Sequence, residues 1–93
     1  MIYAYAKLTV TNPASLDAYR AKAGEALARH GGKVETATAD ATALDGTPEL
    51  PDVAALLSFP DKAAALAWIN DPELASTHAL RRGAGTSEIV LLS

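Results

Sequence analysis

Hydrophobic and polar positions alternate without a break from Ile2 to Val10. Ile2, Ala4, Ala6, Leu8 and Val10 fall on one side, and Tyr3, Tyr5, Lys7 and Thr9 on the other. A period of two, with aromatic and β-branched residues, predicts a strand. Asn12-Pro13 then predicts a helix start, with Asn12 as N-cap and Pro13 in the first turn, where its missing N–H costs nothing. Leu16, Tyr19, Ala23 and Leu27 recur at spacings of three and four, while Asp17, Arg20, Lys22 and Glu25 mostly take the other side. His30-Gly31-Gly32 ends the helix, because glycine accepts the left-handed conformation that a helix terminus needs.

A second strand covers Lys33 to Thr38, with a ragged continuation toward Leu44. The Asp45-Gly46 turn signal, Pro48 and Pro51 mark residues 45–52 as a loop. Val53 to Phe59 is a third strand, apolar on both faces. Asp61 caps a helix through Asn70, with Ala63, Leu66, Ala67 and Ile69 as its apolar stripe. Asp71-Pro72-Glu73 restarts a short helix to about Arg82. Gly83-Ala84-Gly85 breaks it, and Glu88 to Leu92 form the last strand.

Strand, helix, strand, strand, helix, short helix, strand is the βαββαβ order of a ferredoxin-like α+β sandwich. Its four-stranded antiparallel sheet has the first and third strands in the centre and the helices on one face. A helix layer accounts for one apolar face only. Ala54 and Leu56 in the third strand, and Val90 and Leu92 in the last, make the other face apolar too. A wet antiparallel face normally alternates with polar residues. The pattern therefore predicts a homodimer in which a second copy covers that face with its own sheet.

Composition sharpens this expectation. The chain has 93 residues, 49% of them hydrophobic and 20% charged, as in an ordinary single globular domain. Alanine supplies 21 residues while aromatics reach only 5%, so each buried residue contributes little apolar area. A chain this short buries only about 60–65% of its unfolded surface, and association offsets a thin core. The absence of cysteine excludes disulfides, cysteine-based zinc sites and a thiol nucleophile. A net charge of −3 argues against a nucleic-acid partner. No apolar run approaches the roughly 18 residues of a membrane span, and the first residues lack the pattern of a signal peptide. No membrane partner and a cytoplasmic location are expected.

Several short stretches, in order, resemble the bacterial family termed domain of unknown function 1330 (DUF1330). They are Asn12-Pro13, Tyr19-Arg20, His30-Gly31-Gly32, Leu44-Asp45-Gly46, Phe59-Pro60-Asp61-Lys62, Ala64-Ala65, Ala67-Trp68, Asp71-Pro72-Glu73 and Ala79-Leu80-Arg81. The resemblance runs nearly the full length. It implies a homodimeric α/β barrel and no assigned reaction; more distant members of that superfamily include cofactor-free monooxygenases, muconolactone isomerase and haem enzymes. Ile69 and Leu74 stand where family members often carry tyrosine, and His78 where they carry a basic residue. Such departures imply a drier or altered pocket.

Candidate chemistry is sparse. His30 either caps carbonyls at the helix end or does acid–base work beside glycines that let a ligand approach. His78, Arg81 and Arg82 share a helix face by their spacing. They form either a carboxylate- or enolate-binding group with His78 as proton carrier or a solvated helix end. Tyr3, Tyr5 and Lys7 are expected to face the barrel interior, as dimer contact or cavity lining. Trp68 is either a core or interface anchor or a pocket wall. No histidine spacing suits a metal, and no serine sits in a nucleophile elbow. Gly83-Ala84-Gly85 follows a helix and precedes a strand, the wrong order for a phosphate loop. Asp40, Asp45, Glu49 and Asp52 read as a solvated acidic loop.

The sequence thus leads to a barrel cavity that binds or converts a small organic molecule without a bound cofactor. Isomerase or cofactor-free oxygenase chemistry would have His78 or His30 moving the proton, and Arg81 and Tyr5 stabilising an oxyanion. The alternative is a non-catalytic homodimeric binding or accessory module, and whether the protein is an enzyme stays open.

Overall fold

The first predicted strand runs from Ile2 to Val10 (β1) in the computed structural model, which describes residues 1–93. Asn12 works as expected, its Oδ1 accepting from the Ser15 N–H at 3.2 Å to start α1 (Pro13–Ala28). At the other end Gly32 N donates to Leu27 O and Gly31 N to Ala28 O, with Gly31 at φ +73°. That is the Schellman arrangement, which closes free carbonyls with a left-handed glycine. A Cβ on Gly32 would stand 2.8 Å from the Phe59 ring. The glycine pair thus brings the chain against Phe59.

The remaining elements are β2 (Lys33–Thr38), β3 (Val53–Phe59), α2 (Lys62–Asn70), a 3-10 turn at Pro72–Leu74, α3 (Ala75–Gly83) and β4 (Gly85–Leu92). Asp61 Oδ1 caps α2 at 2.8 Å from Ala64 N. β4 starts three residues earlier than Glu88, because Gly85 pairs with Val10 at the end of β1. A Cβ there would lie 1.7 Å from the Thr9 carbonyl oxygen, so only glycine lets the two backbones approach. Ala84 O, just before it, accepts from both Thr11 N and Asn12 N. The Gly-Ala-Gly break therefore seats β4 against β1.

The strands form one antiparallel sheet in the order β2-β3-β1-β4, with β1 and β3 central. The even positions of β1 (Ala4, Ala6, Leu8) and the odd positions of β3 (Val53, Ala55, Leu57, Phe59) share the face under the helices. Ala4, Ala26, Leu27, Leu57, Phe59, Ala65, Trp68 and Leu74 make the main core. Burying Leu27 or Phe59 contributes about 2–3 kcal/mol each. Ala4 and Ala26 let helix and sheet approach closely. The buried face of α2 is Ala65 and Trp68; Leu66 remains 48% exposed, and Ala63 and Ala67 are exposed too. The apolar stripe expected there was rotated, because Trp68 rather than the smaller residues anchors the helix.

The ferredoxin-like sheet with its helices on one side is present, but the expected dimeric α/β barrel is not. β2 and β4 are free edges, and a barrel requires every strand to pair on both sides. There is consequently no barrel interior. Tyr3, Tyr5 and Lys7 point outward from an uncovered sheet face, and Tyr5 is 39% exposed. No helix is long and apolar enough to cross a membrane.

Candidate functional site

α3 has few large apolar residues, yet it turns Thr77, His78 and Arg81 into the protein. His78 is 1% exposed and Arg81 6%, so this is no solvated helix end. His78 lies edge-on against the Trp68 ring, centroids 4.7 Å apart, and Phe59 packs beside Trp68 at 5.5 Å. The polar atoms form a chain: Arg81 Nη1 lies 2.7 Å from His78 Nδ1, and His78 Nε2 lies 2.9 Å from the Trp68 carbonyl oxygen.

Chemistry fixes the roles in that chain. Guanidinium only donates and a carbonyl only accepts. Nδ1 therefore carries the lone pair and Nε2 the proton, which makes His78 the neutral tautomer. Burial is the main force holding its pKa below the ordinary imidazole value. The Trp68 carbonyl opposes that shift, and the charges of Arg81 and Arg82 reinforce it. A proton added at Nδ1 would face the guanidinium donors head-on.

Arg81 is held from several sides. Its Nε donates to Ser87 Oγ at 3.2 Å, and its guanidinium carbon sits 5.4 Å from the Trp68 centroid and 5.6 Å from that of Tyr19. Such cation–π contacts partly replace lost hydration. No carboxylate lies within ion-pairing distance of it. Beside it, between α1 and the helix-facing side of the sheet, is an apolar cavity of about 150 Å³. Leu8, Ala23, Leu27 and Leu57 are among its walls, with Tyr19, Ser87 and Arg81 bringing polar atoms to it.

The other candidates lie elsewhere. His30 caps no carbonyl with its ring; Nε2 sits 2.8 Å from Asp71 Oδ2. Arg29 joins the same carboxylate at 3.3 Å and also pairs with Glu73. The His30 hydrogen bond and the Glu73 N–H lower the Asp71 pKa, and together these contacts tie the end of α1 to the start of the Pro72–Leu74 turn. Tyr5 is on the opposite side of the sheet from Arg81, alongside the Lys7–Glu88 pair at 3.6 Å. Trp68 is a core anchor whose Nε1 is buried without a partner. Asp52 is more than loop solvation, since its Oδ2 accepts from Val10 N at 2.8 Å. No three histidine or carboxylate side chains converge as metal ligands would.

With the sheet open, the reading of a small molecule bound or converted in a barrel cavity falls. The apolar cavity beside Arg81 lies on the helix side of the sheet, within a single chain. Sequence reasoning missed Tyr19 and Ser87 as its polar members; the only available signal was their helix-side position in α1 and β4.

No curated protein matches this sequence. Among solved structures it is similar to the RPA0582 protein of unknown function from Rhodopseudomonas palustris, at 23% identity and a TM-score of 0.74, covering 98% of this chain and 79% of that one. The methylated RPA0582 protein gives 23% identity and a TM-score of 0.75, over 99% and 78% of the two chains. At that identity the likeness shows the fold alone. The model of the family described as "Domain of unknown function (DUF1330)" matches residues 1–93, from the first strand through the Arg81 cluster to the last. The chain belongs to the DUF1330 family.

Proposed function

We propose that the protein is a non-catalytic homodimeric binding module, two copies of which pack through their uncovered sheet faces. The observation that carries this reading is the layout of that face. The register places Leu56, Tyr5 and Val90 in one row across β3, β1 and β4, with Tyr3 and Leu92 in the next row. Val90 is 56% exposed. The charges on the face come as neutralising pairs, Lys7 with Glu88 and Lys33 with Glu35. A surface of this kind meets its own copy without repulsion, as a two-fold interface requires. Four strands about 4.8 Å apart and some eight residues long present roughly 500 Å² per copy. Packing two such faces buries on the order of 1,000 Å², enough for a specific interface.

The non-catalytic half of the reading rests on His78 and His30. His78 has its lone pair engaged by Arg81 and its proton by Trp68 O, and His30, tied to Asp71 through Nε2, borders none of the pockets. A general base needs a lone pair within reach of substrate. The setting we propose is the cytoplasm, whose reducing conditions a chain without cysteines tolerates.

Light scattering on the parent and on Val90→Lys tests the assembly. The parent should be dimeric at micromolar concentration, and the variant should dissociate at least about 100-fold more readily while keeping its fold, because an unpaired charge would be desolvated within the contact. Unchanged association of Val90→Lys would refute the proposed face.

A further inference from the structure

Burying a charge is costly unless the charge is paired, and an arginine keeps its charge at any physiological pH. Arg81 is 94% buried by the complement of its 6% exposure. Nε and Nη1 have partners, but Nη2 has none within the chain. Nη2 is not sealed off either, since the one polar side-chain atom both buried and partnerless is Trp68 Nε1. The C-terminal end of α3 supplies some partial negative charge to the guanidinium, and no acid completes it. The adjoining cavity has Arg20 and Arg81 at its border and no aspartate or glutamate, the Lys7 side chain pointing to the opposite sheet face. Apart from these groups and the polar atoms of Tyr19 and Ser87, its walls are apolar. The site therefore has a single buried positive pole beside a partly open, largely apolar compartment of about 150 Å³.

We propose that this cavity binds a small monocarboxylate whose apolar body is about the size of a benzene ring, with the carboxylate accepting from Arg81. An apolar protein cavity of about 150 Å³ accommodates benzene, and guanidinium is suited to a planar carboxylate through paired N–H donors. His78 is the positioning residue. By accepting from Nη1 it holds the guanidinium plane in place and leaves Nη2 for the ligand. This inference gives a ligand class to the binding module proposed above, and it does not depend on dimerisation.

Titration of the full-length protein with benzoate, and separately with the neutral isostere benzamide, tests it. Heteronuclear NMR and the fluorescence of Trp68, whose ring contacts Arg81, provide the readouts. Benzoate should bind one per chain with a dissociation constant of about 0.1–1 mM, shifting the amides of Leu8, Ala23 and Arg81. Benzamide and Arg81→Gln should each weaken binding by at least about 10-fold, as expected when a charge-assisted hydrogen bond is lost. Should Arg81→Gln fail to fold, Ala23→Leu fills the cavity from α1, leaves Arg81 intact and should abolish binding. Equal binding of benzoate and benzamide would overturn the carboxylate assignment and leave a binding module standing. Binding of neither would overturn both the ligand class and the binding reading, and binding that survives Ala23→Leu would overturn the site.

Discussion

Replacing His78 by leucine removes the link between Arg81 and Trp68 without opening a large hole. The imidazole accepts one hydrogen bond from a charged donor at 2.7 Å and donates one to a carbonyl at 2.9 Å. A bond to a charged group contributes about 1.5–3 kcal/mol and a neutral one about 0.5–1.5. The loss should be roughly 2–4 kcal/mol, since the guanidinium keeps Ser87 and its aromatic contacts. Urea unfolding followed by the fluorescence of Trp68, the only tryptophan, gives the assay. With a slope near 1–1.5 kcal/mol per molar for a small domain, the midpoint should fall by about 2 M. His78→Gln retains a donor and an acceptor on a similar frame and should lose less than half as much. A His78→Leu midpoint within about 0.5 M of the parent would refute the argument that this chain holds Arg81 in place.

Three further outcomes follow from the same geometry. The His78 pKa is lowered in the folded protein, so as pH falls below the ordinary imidazole value of 6.5 the unfolded chain takes up a proton that the folded one resists. Stability should be level above that value, decline below it until the folded His78 titrates, and lose this decline in His78→Leu; an unchanged pH profile in that variant would contradict the assignment. Asp71 acts at lower pH, its lowered pKa contributing stability that is present above about 3.8 and lost as pH falls through the folded value. Asp71→Asn, which keeps an oxygen for the Glu73 N–H, should remove that acid limb from chemical-denaturation curves taken at successive pH values. Gly85→Ala drives a methyl into the Thr9 carbonyl and should cost roughly 3 kcal/mol or more, read by calorimetry, whereas Gly24→Ala, with open space around it, should be neutral or stabilising.

Local signals were the legible part of the chain. Alternation located β1, Asn12 and Asp61 marked the helix starts, and the glycine pair after His30 marked a helix end, because each works through neighbours a few residues away. The topology followed from the order of the elements. The barrel did not survive, since apolar residues on both faces of β3 and β4 indicate that a face avoids water without saying that a sheet closes. The site was half legible. Three-residue spacing put His78 and Arg81 on one face of α3, but their burial depends on Trp68 and Tyr19 arriving from other elements. His30 and Asp71 are 41 residues apart, and nothing local couples them. The stripe in α2 was misplaced because four alanines in six residues leave a weak period, and a single tryptophan decides which way the helix turns.

A dimer built on the open sheet face brings side chains of the two copies into direct contact. Isotope-filtered NMR on a mixture of labelled and unlabelled chains, near 1 mM, detects such contacts. Contacts between chains are expected from the Tyr5 ring to the methyl groups of Leu56 and Val90, with none from the exposed sides of α1 or α2. An absence of contacts between chains, or contacts confined to the helices, would contradict this dimer.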